Sequence, residues 1–139
     1  MDHSKQITMR EAVARFVQNG SSVCLGAALE SAIPFAAGHE LIRQGKRDLT
    51  LIGPISDMLF DQLIGAGCAG KIIAAWVGNV SAGLGHNFRR ATEQSVPARI
   101  EVEDHSNFTI ALGLFAGSLG APYITTPSLL GPGLRESNP

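Results

Sequence analysis

Cysteine, basic charge and long apolar runs are scarce in this chain, and each scarcity removes a class of function. Its two cysteines, Cys24 and Cys68, lie far apart, with no CxxC and no second ligand pair beside them. That spacing holds no zinc and reads as buried free thiols suited to a reducing cytosol, against the alternative of a disulfide or redox pair. The 11 Lys and Arg are balanced by 12 Asp and Glu with no long basic run, so the electrostatic footprint of a nucleic-acid binder is missing. No stretch reaches the ~18 apolar residues of a membrane span, and the amino-terminal MDHSKQ lacks the apolar centre of a signal peptide. The expectation is a cytoplasmic protein with neither nucleic acid nor membrane as partner.

The common ligand motifs are missing too. GxxxxGK[ST] and GxSxG do not occur, and Gly83-Leu84-Gly85 alone does not make a dinucleotide loop. His39, His86 and His105 show no HxxxH spacing and no nearby cysteine, so no metal is expected. His86 can cap a helix beside Asn87, and His105 can face solvent. No internal repeat or low-complexity tract is visible.

What is present is apolar. Hydrophobic residues make up 45% of the 139 and charged residues only 17%, enough for one buried core with surface left over for another chain to cover. Thr8 to Glu11 has capping-box spacing, and Met9, Ala12, Val13, Phe16 and Val17 follow at helical intervals until Asn19-Gly20. Ser22 to Gly26 reads as a buried strand, and the next helix begins at Pro34 and stops at Gly45. Leu49 to Gly53 is a second strand; Ser56 or Asp57 caps a helix carrying Leu59, Phe60, Leu63 and Ile64 on one stripe. Lys71 to Val77 is a third strand, buried on both faces, and His86 to Gln94 a helix. Pro97 precedes a fourth strand, Ile100 to Asp104, and Ser106 caps a helix from Asn107 to Leu119 that is apolar all round and so expected to be largely buried. A short strand from Pro122 to Thr125 is expected before a tail without regular pattern. The alternation predicts an open, mostly parallel α/β sheet with helices on both faces, spanning residues 1–125, with an irregular tail over 126–139.

The stretch Trp76 to Arg90 stands out, because an apolar strand runs there into a polar loop laced with glycine. Asn79 and Ser81 supply hydrogen-bonding side chains, while Gly78, Gly83 and Gly85 let backbone approach a ligand. Open α/β sheets bind ligands at this carboxyl edge; a merely flexible connection is the other reading. Strand alternation puts Glu101 and Glu103 on one face, where a carboxylate can act as nucleophile or general base, or simply be solvated. Glu30, in the turn after the first strand, is a third carboxylate near the edge, either functional or a plain surface residue.

In order along the chain, TMREAVARFV with NGSSVCLG, IPFAAGHELIRQGKRDLTLIGPISD, LFDQLIGAGCAGKIIAAWVGNVSAGLGHNFRRA and IEVEDHSNFTIALGLFAGSLGAPYI resemble one family. The resemblance is to the amino-terminal part of the first of the two subunits of the family I CoA-transferases, the group containing glutaconate CoA-transferase, which have NagB-like sheets. It implies a two-subunit enzyme that moves CoA between a thioester and a free carboxylate. The second subunit supplies the nucleophilic glutamate, and the first shapes the acyl pocket. Acyl-CoA is then substrate rather than cofactor, with nothing else tightly bound. The working form is a hetero-oligomer, and the first subunit without the second is inactive. The residues it implies for substrate contact are Gly26, Glu30, Gly78, Asn79 and Ser81. Some members of the superfamily are instead ring-opening acyl-CoA hydrolases, in which the residue matching Glu103 is the base that activates water. The turn GAALES is less glycine-rich than in many relatives, Gly131-Pro132-Gly133 lacks a serine often found there, and family members continue beyond this length. A truncated, non-catalytic binding remnant is therefore a third reading.

Overall fold

The computed structural model describes residues 6–26, 32–56, 58–80, 83–130, 133, 136 and 138. Glu30, Ser31, Asp57 and Ser81 lie outside the described residues.

Helix α1, Met9–Phe16, forms on the expected capping box: the Thr8 hydroxyl accepts from the Glu11 amide at 3.2 Å and Glu11 accepts from the Thr8 amide at 3.0 Å. Strand β1, Ser22–Cys24, stops short of the expected Gly26. Leu25 still donates to the Ile52 carbonyl, but Gly26 has φ +66°, which turns the chain out of the sheet. A Cβ on Gly26 would also lie 2.9 Å from Pro34 Cδ, so only glycine suits the position. Pro34 is the N-cap, not the first residue, of α2, Phe35–Arg43.

Strand β2, Leu49–Ser56, runs past the expected Gly53 and through Pro54. Thr50 and Ile52 bond to β1, so the alternate residue Pro54 faces the same side, beyond the last β1 residue, where no amide is required of it. Helix α3, Met58–Gly65, buries the predicted Leu59, Phe60, Leu63 and Ile64. Strand β3, Ala69–Asn79, outlasts its predicted end at Val77 because a two-residue strand, β4 (Gly83–Leu84), folds back antiparallel on it. Helix α4, His86–Gln94, has its predicted bounds and ends at Ser95 in the left-handed region. Strand β5, Glu101–Asp104, and helix α5, Asn107–Ser118 with its Ser106 cap, follow as expected.

The parallel strands lie in the order β1-β2-β3-β5, with β4 attached to the end of β3. Because that order never reverses, right-handed crossovers place α2, α3 and α4 on one face. There Leu51 and Ile72, adjacent in register and both fully buried, meet Phe60, Leu63 and Ile64. Helix α5 lies across β2 and β3 on the other face.

Three expectations are corrected. Helix α5 is not largely buried: Ile110 and Ala116 are, but Phe108, Leu114, Phe115 and Leu119 are 43–65% exposed. A helix resting on a sheet covers one stripe only, and no described element packs on the rest. Residues 122–125 form no strand, since no neighbour pairs with them, and Tyr123 is 75% exposed. Cys24, expected to be buried, is exposed on the edge strand β1, whereas Cys68 is buried and its thiol pushed up by desolvation; both are free. Among the described residues no helix is long and apolar enough to cross a membrane, and no group of metal-ligating side chains forms.

Candidate functional site

The described part of the glycine-laced stretch forms the β3–β4 ribbon, which walls a cleft of about 440 Å³ lined, among the described residues, by Ile55, Trp76, Asn79, Val80, Gly83 and Leu84. Ile55 and Trp76 are neighbours in register at the carboxyl ends of β2 and β3, the edge where parallel sheets bind ligands. The indole lies across Gly78: a Cβ there would stand 2.5 Å from Trp76 Cζ2. Gly78 is thus required for the ring to lie flat, and Trp76 stays 42% exposed as an apolar wall.

Among the described residues lining this cleft, Asn79 carries the polar side chain. Its Nδ2 donates to the Leu84 carbonyl at 3.2 Å, which orients the amide; exchanging the two ends would set oxygen against oxygen. The Oδ1 atom is buried and has no hydrogen-bond partner among the described residues. The Ser56 hydroxyl, at the end of β2, is the second such atom. A buried polar atom left unpaired costs about 1–3 kcal/mol, which makes these two positions at the sheet edge candidates for a ligand contact. Sequence reasoning named Ser56 only as a helix cap and passed over Ile55, Trp76 and Leu84 as site walls. A lone tryptophan at a strand's carboxyl end was the available signal.

The loop keeps its place because α4 is anchored beneath it. No side chain of its own caps this helix, whose N-cap is Gly85. Asp61, buried on α3, accepts instead from the Phe88 amide at 2.8 Å and from Asn87 Nδ2 at 3.0 Å. Its carboxylate therefore caps the positive end of α4 from another helix.

Of the remaining candidates, Gly26 ends β1 at the same sheet edge, outside the cleft lining. Glu103 belongs to a separate cluster. Its Oε1 meets His105 Nε2 at 2.8 Å and its Oε2 meets Lys71 Nζ at 2.8 Å; Lys71 also pairs with Glu101 at 2.7 Å. His105 Nδ1 lies 3.1 Å from Thr109 Oγ1, which links β5 to the first turn of α5. The hydrogen bond from His105, then that from Lys71, hold the Glu103 carboxyl below the ordinary value of 4.5 despite partial desolvation. The folded-state value being the lower one, Glu103 stabilises the protein above about 4.5, and that contribution is lost as pH falls through the depressed value. Glu103→Gln should therefore flatten the acid limb of a stability-against-pH curve, measured by urea unfolding between pH 3 and 6, relative to that of the unmodified protein. An unchanged limb would place the acid sensitivity in other carboxylates. His105 is part-buried in this cluster rather than facing solvent, and His39 joins α2 to α3 through Gln62 Oε1 at 2.9 Å.

An open parallel sheet with helices on both faces, and a glycine-rich ribbon walling an apolar cleft at its carboxyl edge, define an α/β domain with the cleft where such sheets commonly place ligands. Comparison with known proteins then supplies the family: the model for coenzyme A transferase matches residues 6–138, and the chain belongs to that family. It is 42% identical over 133 residues to the first subunit of 3-oxoadipate CoA-transferase from Pseudomonas knackmussii, covering 96% of this chain and 47% of that protein. It is 31% identical to the first subunit of glutaconate CoA-transferase from Acidaminococcus fermentans, covering 96% of this chain and 41% of the relative. Among solved structures, glutaconate CoA-transferase from A. fermentans superposes with a TM-score of 0.88 at 30% identity, over 97% of this chain and 42% of that one. A variant of the decarboxylase AibA/AibB superposes with a TM-score of 0.81 at 30% identity, over 96% of this chain and 50% of the other. The chain thus spans about half the length of the curated relatives it matches. The α/β fold and the family read from the sequence are both borne out.

Proposed function

We propose that this chain is the pocket-shaping component of an acyl-CoA:carboxylate CoA-transferase, equivalent to the family's first subunit, and that it pairs with a second subunit supplying the nucleophilic glutamate. In such a reaction the glutamate carboxylate attacks the thioester carbonyl and the CoA thiolate leaves an acyl anhydride. The thiolate then attacks the glutamyl carbonyl, releasing the first carboxylate and leaving CoA on the enzyme for the second. This chain's part is to bind and orient the acyl group, with Gly26, Gly78 and Asn79, and in sequence Glu30 and Ser81, as the contacting set. The observation that carries the reading is the apolar cleft at the sheet's carboxyl edge, walled by Ile55, Trp76 and Leu84, with Asn79 in its lining. The names of two relatives bring 3-oxoadipate and glutaconate, both dicarboxylates, into consideration as substrates.

The rival is an acyl-CoA hydrolase with Glu103 as base. Both carboxylate oxygens of Glu103 are engaged and its pKa is depressed, which weakens it as a proton acceptor. The test is co-expression with the nucleophile-bearing subunit, size-exclusion chromatography and a CoA-transfer assay. A co-eluting, transfer-active complex is expected, and Glu103→Gln should retain its activity within about tenfold, since a lost general base costs about 10²–10⁴-fold. A complex that only releases free CoA, and loses that activity with Glu103→Gln, would establish the hydrolase. Failure to form any complex would leave a non-catalytic remnant.

A further inference from the structure

We infer that Trp76 is the specificity-determining wall of the acyl cleft, and that the bare Cα of Gly78 fixes how much of that cleft the indole leaves open. The inference rests on the transferase reading and deepens it. Alternation along β3 puts Ile72, Ala74, Trp76 and Gly78 on one face of the sheet. Ile72 and Ala74 are buried there, whereas Trp76, two residues further on, opens to the cleft. The row leaves the core at the indole.

The ring lies as it does because its same-face neighbours along the strand, Ala74 and Gly78, are the two smallest residues. A Cβ at Gly78 would stand 2.5 Å from Trp76 Cζ2 and 2.6 Å from Cη2, both atoms of the benzo ring. Any side chain there lifts that ring off the backbone, and the space open to it is the cleft. Beside the indole the described lining is Ile55, its neighbour in register on β2, with Val80 and Leu84, all apolar. Such walls read the methylene section of an acyl chain, by contact and by exclusion of water. The same holds whether the chain ends in a methyl or in a carboxylate, because these walls do not address its polar end. Cleft size at the indole is then what separates one chain length from the next, and the Trp76–Gly78 pair sets it.

Succinyl-CoA, glutaryl-CoA and adipoyl-CoA share both end groups and lengthen by one methylene at a time. The experiment compares kcat/KM for transfer from each to acetate, in the complex of this chain with its nucleophile-bearing partner. Trp76→Phe lacks the atoms that lie over Gly78 and should raise the adipoyl-to-succinyl ratio by about tenfold, one methylene in an apolar pocket being worth about 10–200-fold. Gly78→Ala should lower that ratio by about tenfold. In the Trp76→Phe background it should not, since the clashing atoms are gone. Trp76 is the chain's one tryptophan, so its fluorescence reads the cleft without turnover. Adding glutaryl-CoA should move to shorter wavelength an emission that the Trp76→Phe complex lacks. Should Gly78→Ala fail to fold, Trp76→Phe and the emission decide. An active complex whose ratio Trp76→Phe leaves unchanged, or whose Trp76 emission glutaryl-CoA leaves unmoved, would overturn the inference and leave the transferase reading intact. A complex that forms but transfers from none of the three thioesters, nor from shorter acyl-CoAs, would overturn the transferase reading and the inference with it.

Discussion

Asp61→Ala is expected to lower folding stability by about 2–4 kcal/mol, seen as an earlier urea midpoint with an unchanged slope. The carboxylate is 6% exposed and holds two donors of α4, the Phe88 amide and the Asn87 side chain. Hydrogen bonds to a charged group contribute about 1.5–3 kcal/mol each, and their removal leaves the helix without any side-chain cap. Asp61→Asn should cost less, since its oxygen can still accept from the Phe88 amide. Its NH₂ would then face the Asn87 amide nitrogen, whose own oxygen is already taken by Arg90. An Asp61→Ala protein as stable as the original would mean that packing of Phe88 and Ala91 alone holds α4. The same substitution should weaken substrate binding, because α4 follows directly on the β4 strand that walls the cleft.

Leu59→Ala should cost about 3–4 kcal/mol, and Gly38→Ala placed in that background should recover about 1 kcal/mol of it. Leu59 is 2% exposed, and a leucine truncated in a core leaves both a transfer loss and a cavity. Its neighbour across the α2–α3 contact is Gly38, where a Cβ would stand 2.3 Å from Leu59 Cδ1. In the unmodified protein Gly38→Ala therefore destabilises: overpacking costs about 1–3 kcal/mol, against a helix-propensity gain of up to ~1 kcal/mol. With Leu59 shortened, the clash vanishes, the methyl fills part of the cavity and the propensity gain remains. Additive losses in the double variant, measured by the same unfolding experiment, would show that α2 and α3 shift apart instead of sharing this space.

Much of this architecture is legible one element at a time. The Thr8 and Ser106 capping boxes, the stripe of Leu59, Phe60, Leu63 and Ile64, and the bounds of α4 depend on residues within a few positions of one another. Two-residue β4 was not legible, because so short a segment has no periodicity and becomes a strand only by pairing with Gly78 and Asn79. For α5 the apolar circumference is a sequence fact, but burial depends on what packs outside it. The expected strand at 122–125 had suitable residues and no neighbour to pair with.

The site divides in the same way. Placing a candidate ligand loop at Gly78 and Asn79 followed from local composition, with a flexible connection as the other reading. The family followed from an ordered match along nearly the whole chain. Sequence by itself therefore determined the fold class, the parallel alternation and the family, and it named a candidate site, all of which rest on local periodicity or linear order. Only the tertiary structure decided that Asp61 caps a helix starting 25 positions later, that Lys71 joins Glu101 and Glu103 across β3 and β5, and that Asn79 Oδ1 is left without a partner. Each of these depends on the register of strands and the crossing of helices, which bring together groups that the chain itself keeps far apart.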